Sequence, residues 1–133
     1  MTTELFWLSL TLVFAASLWI PFIIKVSGGP SGAAVDNGLA DYRSMTRDAQ
    51  MANRAHVNLL EQAMPFAGLV ILAHILGVSS GITVTAAIAF FWIRVAHAGV
   101  MLSGGQQIPV RPMIFTLGWL CSVAIFVEIL RLA

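Results

Sequence analysis

The chain has 133 residues, of which 59% are hydrophobic and only 10% charged. A soluble domain carries about 25% charged residues, so this chain lacks the polar surface to cover a water-exposed globule, and a membrane protein is indicated. A formal net charge of +1 gives no general attraction to nucleic acid, and a single cysteine, Cys121, excludes an intrachain disulfide.

Four apolar runs follow one another, each near the ~20 residues that span a bilayer as helix. The first, "LFWLSLTLVFAASLWIPFII", covers residues 5–24. No Lys or Arg precedes it and its apolar part exceeds a signal-peptide core, so it reads as a retained span rather than a cleaved leader. A polar segment from Lys25 to about Gln62 comes next. Its first half, "SGGPSGAAVDNG", is turn and loop chemistry. Its second half, "DYRSMTRDAQMANRAHVNLLEQ", has no Pro or Gly and reads as helix running into the second apolar run, 63–78. The third run covers 82–102 and the fourth 113–132, joined by "SGGQQIPVRP". The expected architecture is an all-α integral membrane protein, one domain over 1–133, with spans at about 5–25, 46–78, 82–102 and 112–132. Lys25, Arg43, Arg47, Arg54 and Arg111 all fall on one side of such a bundle. The positive-inside rule therefore places both polar loops in the cytoplasm and both termini outside.

Several polar residues sit where hydrocarbon is expected. On a helix turning about 100° per residue, Arg47, Asn58 and Glu61 lie within about 40° of Arg54, and Pro65 and Gly68 continue that stripe. Positive-inside charge explains Arg43 and Arg47 without any site, but not the amide and carboxylate beside Arg54. Arg94 and His97 are neighbours on the third span. An arginine alone in the bilayer is costly, about 2.5–3.5 kcal/mol on insertion scales, so a buried Glu61–Arg94 pair between the second and third spans is expected. Glu128 and Arg131 read as a structural i, i+3 pair and His74 as a packing residue. His56, His74 and His97 fall at different depths or faces, so no metal site is expected.

"RAHVNLLEQAMPF" followed by "RVAHAGVML" resembles the MAPEG family, the membrane-associated proteins in eicosanoid and glutathione metabolism. Arg54, Ala55, Asn58, Glu61, Pro65 and Phe66 match the second-span signature, and Arg94 and His97 match the third-span Arg-x-x-His. The likeness covers nearly the whole chain and is similar to short bacterial members, which implies a bacterial inner membrane. It also implies a homotrimer with glutathione held between subunits at the cytosolic end, by Arg54, Asn58, Glu61, Arg94 and His97. Arg111, just before Pro112, matches the basic residue that stabilises the glutathione thiolate. Lys25 matches a basic residue at the end of the first span more loosely. Two positions depart from eicosanoid-type members: Val57 stands where they carry an Arg, and Met101 where they carry a Tyr.

The resemblance implies a glutathione-dependent transferase or peroxidase acting on lipophilic electrophiles. The alternatives are a non-catalytic membrane scaffold or binding protein of the same fold, and a small proton-coupled exporter. The last places its carboxylate mid-span in the first helix, whereas here that span holds only Glu4 at its edge. Fold resemblance alone does not choose among the three.

Overall fold

The structure is a computed structural model that describes residues 1–27, 35, 36, 39, 40, 42–103 and 110–133. Five helical segments make four membrane-length rods: α1 (Thr3–Ser17) and α2 (Trp19–Ser27) together, then α3 (Arg47–Ile75), α4 (Gly81–Leu102) and α5 (Val110–Leu132). All four are long and apolar enough to cross a membrane. A two-residue antiparallel pair, β1 (Val35–Asp36) with β2 (Leu39–Ala40), is the only strand pairing among the described residues. The chain is thus an all-helical membrane bundle. Most of the expected loop 27–38, and residues 104–109 of the loop between the last two spans, lie outside the described residues.

The first rod is interrupted at Leu18, a break the hydrophobic run alone does not predict. Its cause is Pro21, which has no N–H to give to Ser17 and whose ring crowds that carbonyl. Leu18 turns tightly instead, its N–H reaching Ala15 O at 3.4 Å. The long helix α3 starts at Arg47, at the boundary expected near residue 46, with residues 42–46 of the Pro- and Gly-free stretch outside it. Tyr42–Ser44 forms a 3-10 turn, and Thr46 caps the helix by accepting the Ala49 N–H at 3.3 Å. That oxygen satisfies one of the orphan donors of the first turn, which is why the helix begins there. From Arg47 to Ile75 the helix is continuous, through Pro65. It stops at Gly77, whose φ of +71° lets Val78 N–H return to Ala73 O at 2.8 Å, an end that a residue with a Cβ reaches only under strain.

The α3–α4 turn, the start of α1 and the last turns of α5 meet at one end of the bundle, here the terminal end. Ser80 caps α4 in a capping box with Thr83. Its hydroxyl also donates to Glu128 Oε2 at 2.7 Å, and Arg131 Nη1 donates to Glu128 Oε1 at 2.6 Å. The Glu128–Arg131 pair expected from spacing is therefore present. The opposite, loop end carries the start of α3, the end of α4 and the start of α5.

Two apolar clusters fill the interior. One, toward the terminal end, gathers Leu8, Phe66, Val70, Ala87, Phe90 and Ile125, with the Phe66 and Phe90 rings stacked at 3.8 Å. The other, toward the loop end, gathers Ala15, Leu18, Ala55, Leu59, Ala98 and Met101. On α3 the clusters part between Ala63 and Phe66, and on α4 between Phe90 and Ala98. A polar layer occupies that gap.

Candidate functional site

The gap is filled by Arg94 and Gln62. Arg94 is 1% exposed, and its Nη1 donates to Gln62 Oε1. Gln62 Nε2 in turn donates to Phe115 O at 2.9 Å, tying α3, α4 and α5 together. The Phe115 ring lies 5.6 Å from the guanidinium carbon, within the range where the ring face attracts a cation. Arg94 Nε and Nη2 are buried without a partner among the described residues. The expected Glu61–Arg94 ion pair is thus corrected. Glu61 is exposed on the outer face of α3, and the buried guanidinium takes the neighbouring amide. The apolar series Ala52, Ala55, Leu59, Ala63, Phe66, Val70 is the buried face of α3, and Gln62 falls within it. That interruption of the series was the available signal for Gln62, and a stripe centred on charges overlooked it.

Gly118 makes this layer fit. A Cβ there would stand 2.5 Å from Gln62 Oε1 and 3.4 Å from Arg94 Nη1. Gln62 cannot swing away without leaving both Arg94 and the Phe115 carbonyl. Gly118→Ala is therefore expected to destabilise the subunit by about 1–3 kcal/mol, the cost of overpacking. Equilibrium unfolding in mixed micelles measures it; a variant as stable as wild type would show that the amide has another place to go.

Below this layer, toward the loop end, Asn58, His97, Arg111, Pro112, Phe115 and Thr116 line an open cleft of about 480 Å³ between α3, α4 and α5. His97 is 3% exposed, with its ring 6.2 Å from that of Phe115. Arg94 and Arg111 both act electrostatically on His97. Arg111 Nε is buried with no hydrogen-bond partner among the described residues. Among the described residues no carboxylate lines the cleft, and the charge they give it is positive. A second groove of about 470 Å³ adjoins it at Phe115, walled by Pro65, Leu69, Trp119 and Phe126, with Glu61 and Gln62 at its edge.

The sequence-predicted residues thus divide. Asn58, His97 and Arg111 come together in one cleft, and Arg94 stands behind them, fully enclosed. Glu61 borders the adjoining groove instead. Arg54 lies outside both; it is exposed and its Nε donates to Tyr42 Oη at 3.2 Å. Lys25 pairs with Asp48 at 3.7 Å. Val57 is 41% exposed on the outside of α3, whereas Met101 is wholly buried in the loop-end cluster and does not line the cleft.

A family model for the MAPEG family matches residues 6–131. The chain belongs to the MAPEG family. Comparison with curated proteins finds no match. As a MAPEG protein it is an integral membrane protein, in agreement with the four apolar rods. The MAPEG match spans every residue of the cleft, from Asn58 on α3 to Thr116 on α5.

Proposed function

We propose that this MAPEG protein binds glutathione in the Asn58–His97–Arg111 cleft and uses its thiolate to attack lipophilic electrophiles. One observation carries the reading: an amide, an imidazole and a guanidinium converge on one cleft, and among the described residues no carboxylate lines it and the guanidinium Nε, though buried, has no partner. Such a cleft suits an anionic, peptide-like ligand. Asn58 offers both donor and acceptor to a peptide group. Arg111 supplies a fixed positive charge, which lowers the pKa of a nearby thiol and raises its thiolate fraction. The thiolate sulfur then forms a bond to the electrophilic carbon, and the leaving group departs with its electron pair. The adjoining groove at Phe115 supplies apolar walls for the second substrate.

The same reading includes a homotrimer. Arg47, Arg54, Glu61, Pro65 and Gly68 are exposed and Asn58 is half-buried, so the polar stripe of α3 faces outward from the subunit. In a bilayer, intramembrane charges face a bundle interior or water rather than lipid. Neighbouring copies covering the stripe would meet that requirement and would add Glu61 and Arg54 to the ligand's surroundings. Val57 and Met101 stand where eicosanoid-type members carry an Arg and a Tyr, and of the two Val57 lies on the surface that a neighbouring copy would cover. One charge-assisted hydrogen bond is worth about 1.5–3 kcal/mol, so affinity for glutathione is expected to be weak.

The test is thermal unfolding of the purified protein with glutathione and with S-hexylglutathione, together with turnover of chlorodinitrobenzene. Stabilisation grows as RT ln(1 + [L]/Kd), so binding in the millimolar range is visible. The expected result is a small shift with glutathione, a larger one with the hexyl conjugate, and slow turnover. No shift and no turnover would favour a non-catalytic scaffold of the same fold.

A further inference from the structure

A second cavity lies at the terminal end, remote from the Arg111 cleft. Its volume is about 250 Å³, several times the roughly 30 Å³ share of a liquid water molecule. Its floor is apolar, with Val70 and Ile125 among its walls. Its polar side holds Glu4, Ser79, Thr83 and His74. Glu4 is 7% exposed, and Ser79 Oγ and Thr83 Oγ1 both approach its Oε1 at 2.7 Å.

Glu128 provides a comparison within the same molecule. It too is a buried carboxylate at this end of the bundle, 3% exposed, and it too accepts from a serine of the α3–α4 turn. Glu128, however, has its own cation in Arg131. Among the described residues the ion pairs are Lys25–Asp48 and Glu128–Arg131, and neither includes Glu4. Buried charges are ordinarily paired. Glu4 has hydroxyl donors and the positive end of α1, but no full countercharge among the described residues, and it borders a partly open cavity.

We propose that this cavity is a binding site for an amphipathic amine, whose ammonium group pairs with Glu4 while its apolar body lies against Val70 and Ile125. The polarity of the walls selects the class. An inorganic cation would leave the apolar floor unused, and a neutral apolar molecule would leave Glu4 without a countercharge. An anion is excluded by the carboxylate. His74, exposed at the rim, offers a ring for the ligand to lie against. The site is independent of the glutathione reading, because none of its lining residues borders the Arg111 cleft.

The test uses the full chain in nanodiscs of phosphatidylcholine, which carries no net charge and so does not itself concentrate an amine. Phenethylamine and its neutral counterpart phenethyl alcohol are compared as ligands by thermal shift. Wild type is expected to be stabilised by the amine in a saturable way and not by the alcohol. Glu4→Gln is expected to lose the response, whereas Glu128→Gln and Arg111→Ala are expected to keep it. Equal shifts with amine and alcohol, no shift at millimolar amine, or a response that survives Glu4→Gln would each overturn the proposal. Should Glu4→Gln fail to fold, the amine–alcohol difference in wild type and its retention in Glu128→Gln still decide.

Discussion

Replacing Gln62 by Leu is expected to destabilise the subunit by about 1.5–3 kcal/mol, the scale of a buried hydrogen bond to a charged group. The substitution leaves the Arg94 guanidinium in the bundle interior with no hydrogen-bond acceptor among the described residues, since its Nε and Nη2 already lack partners there. It also removes the donor to Phe115 O. The compensating change is Arg94→Met. In the double variant the charge is gone, and a flexible apolar side chain fills the space between the two core clusters. Replacing both members of a buried pair by apolar groups is close to neutral, so the double variant should regain most of the loss. Unfolding of both single variants and the double in mixed micelles gives the coupling directly. Additive losses would show that the guanidinium and the amide do not act as a unit. Glu61→Gln, by contrast, is expected to leave subunit stability nearly unchanged, because Glu61 is exposed within one chain.

Arg111→Ala is expected to lower glutathione-dependent turnover about 100-fold or more, the usual scale for loss of one group that stabilises a developing or reacting anion. The prediction rests on the proposed glutathione site. Arg111 is half-buried, and its Nε has no partner among the described residues. Its removal therefore costs the fold little while the cleft loses its nearest positive charge. The bound thiol then ionises at higher pH, so the acid limb of the pH–rate profile moves upward. Arg111→Lys keeps a charge without the planar fork and should fall between. Steady-state turnover of chlorodinitrobenzene across pH, with S-hexylglutathione binding measured alongside, separates a lost charge from a lost fold. An unchanged profile in Arg111→Ala would remove this residue from the chemistry.

The fold was legible in the sequence because it rests on length and apolarity. Four runs long enough to cross a bilayer are local signals, and they agree with the rods observed. The break at Leu18 was also written there, in Pro21, but a hydrophobic run hides a residue that is itself tolerated by lipid. The candidate site was less legible. Charge drew attention to the stripe of Arg54, Asn58 and Glu61, and helical spacing ordered those residues correctly along α3. Spacing on one helix does not say which face meets the neighbouring helices. Gln62, one position from Glu61, lies on the inner face, so Arg94 pairs with a neutral amide rather than a carboxylate. Likewise nothing local ties Glu4 to Ser79 and Thr83. That contact exists only once the first helix and the α3–α4 turn meet at one end.

The Gln62–Arg94–Gly118 layer also bears on how the chain enters its membrane. Synthesis delivers Gln62 first, then Arg94, then Phe115 and Gly118. An amide waiting in hydrocarbon is a modest burden, whereas an unaccompanied guanidinium is a heavy one. The costly residue therefore emerges into a bilayer where its acceptor is already in place. The aromatic ring and the glycine that close over the pair arrive last. Reversing the two, with arginine at position 62 and glutamine at 94, would keep the contact in the finished bundle. It would also strand the charge during insertion, so its penalty would fall on the yield of integrated chain rather than on the stability of the product.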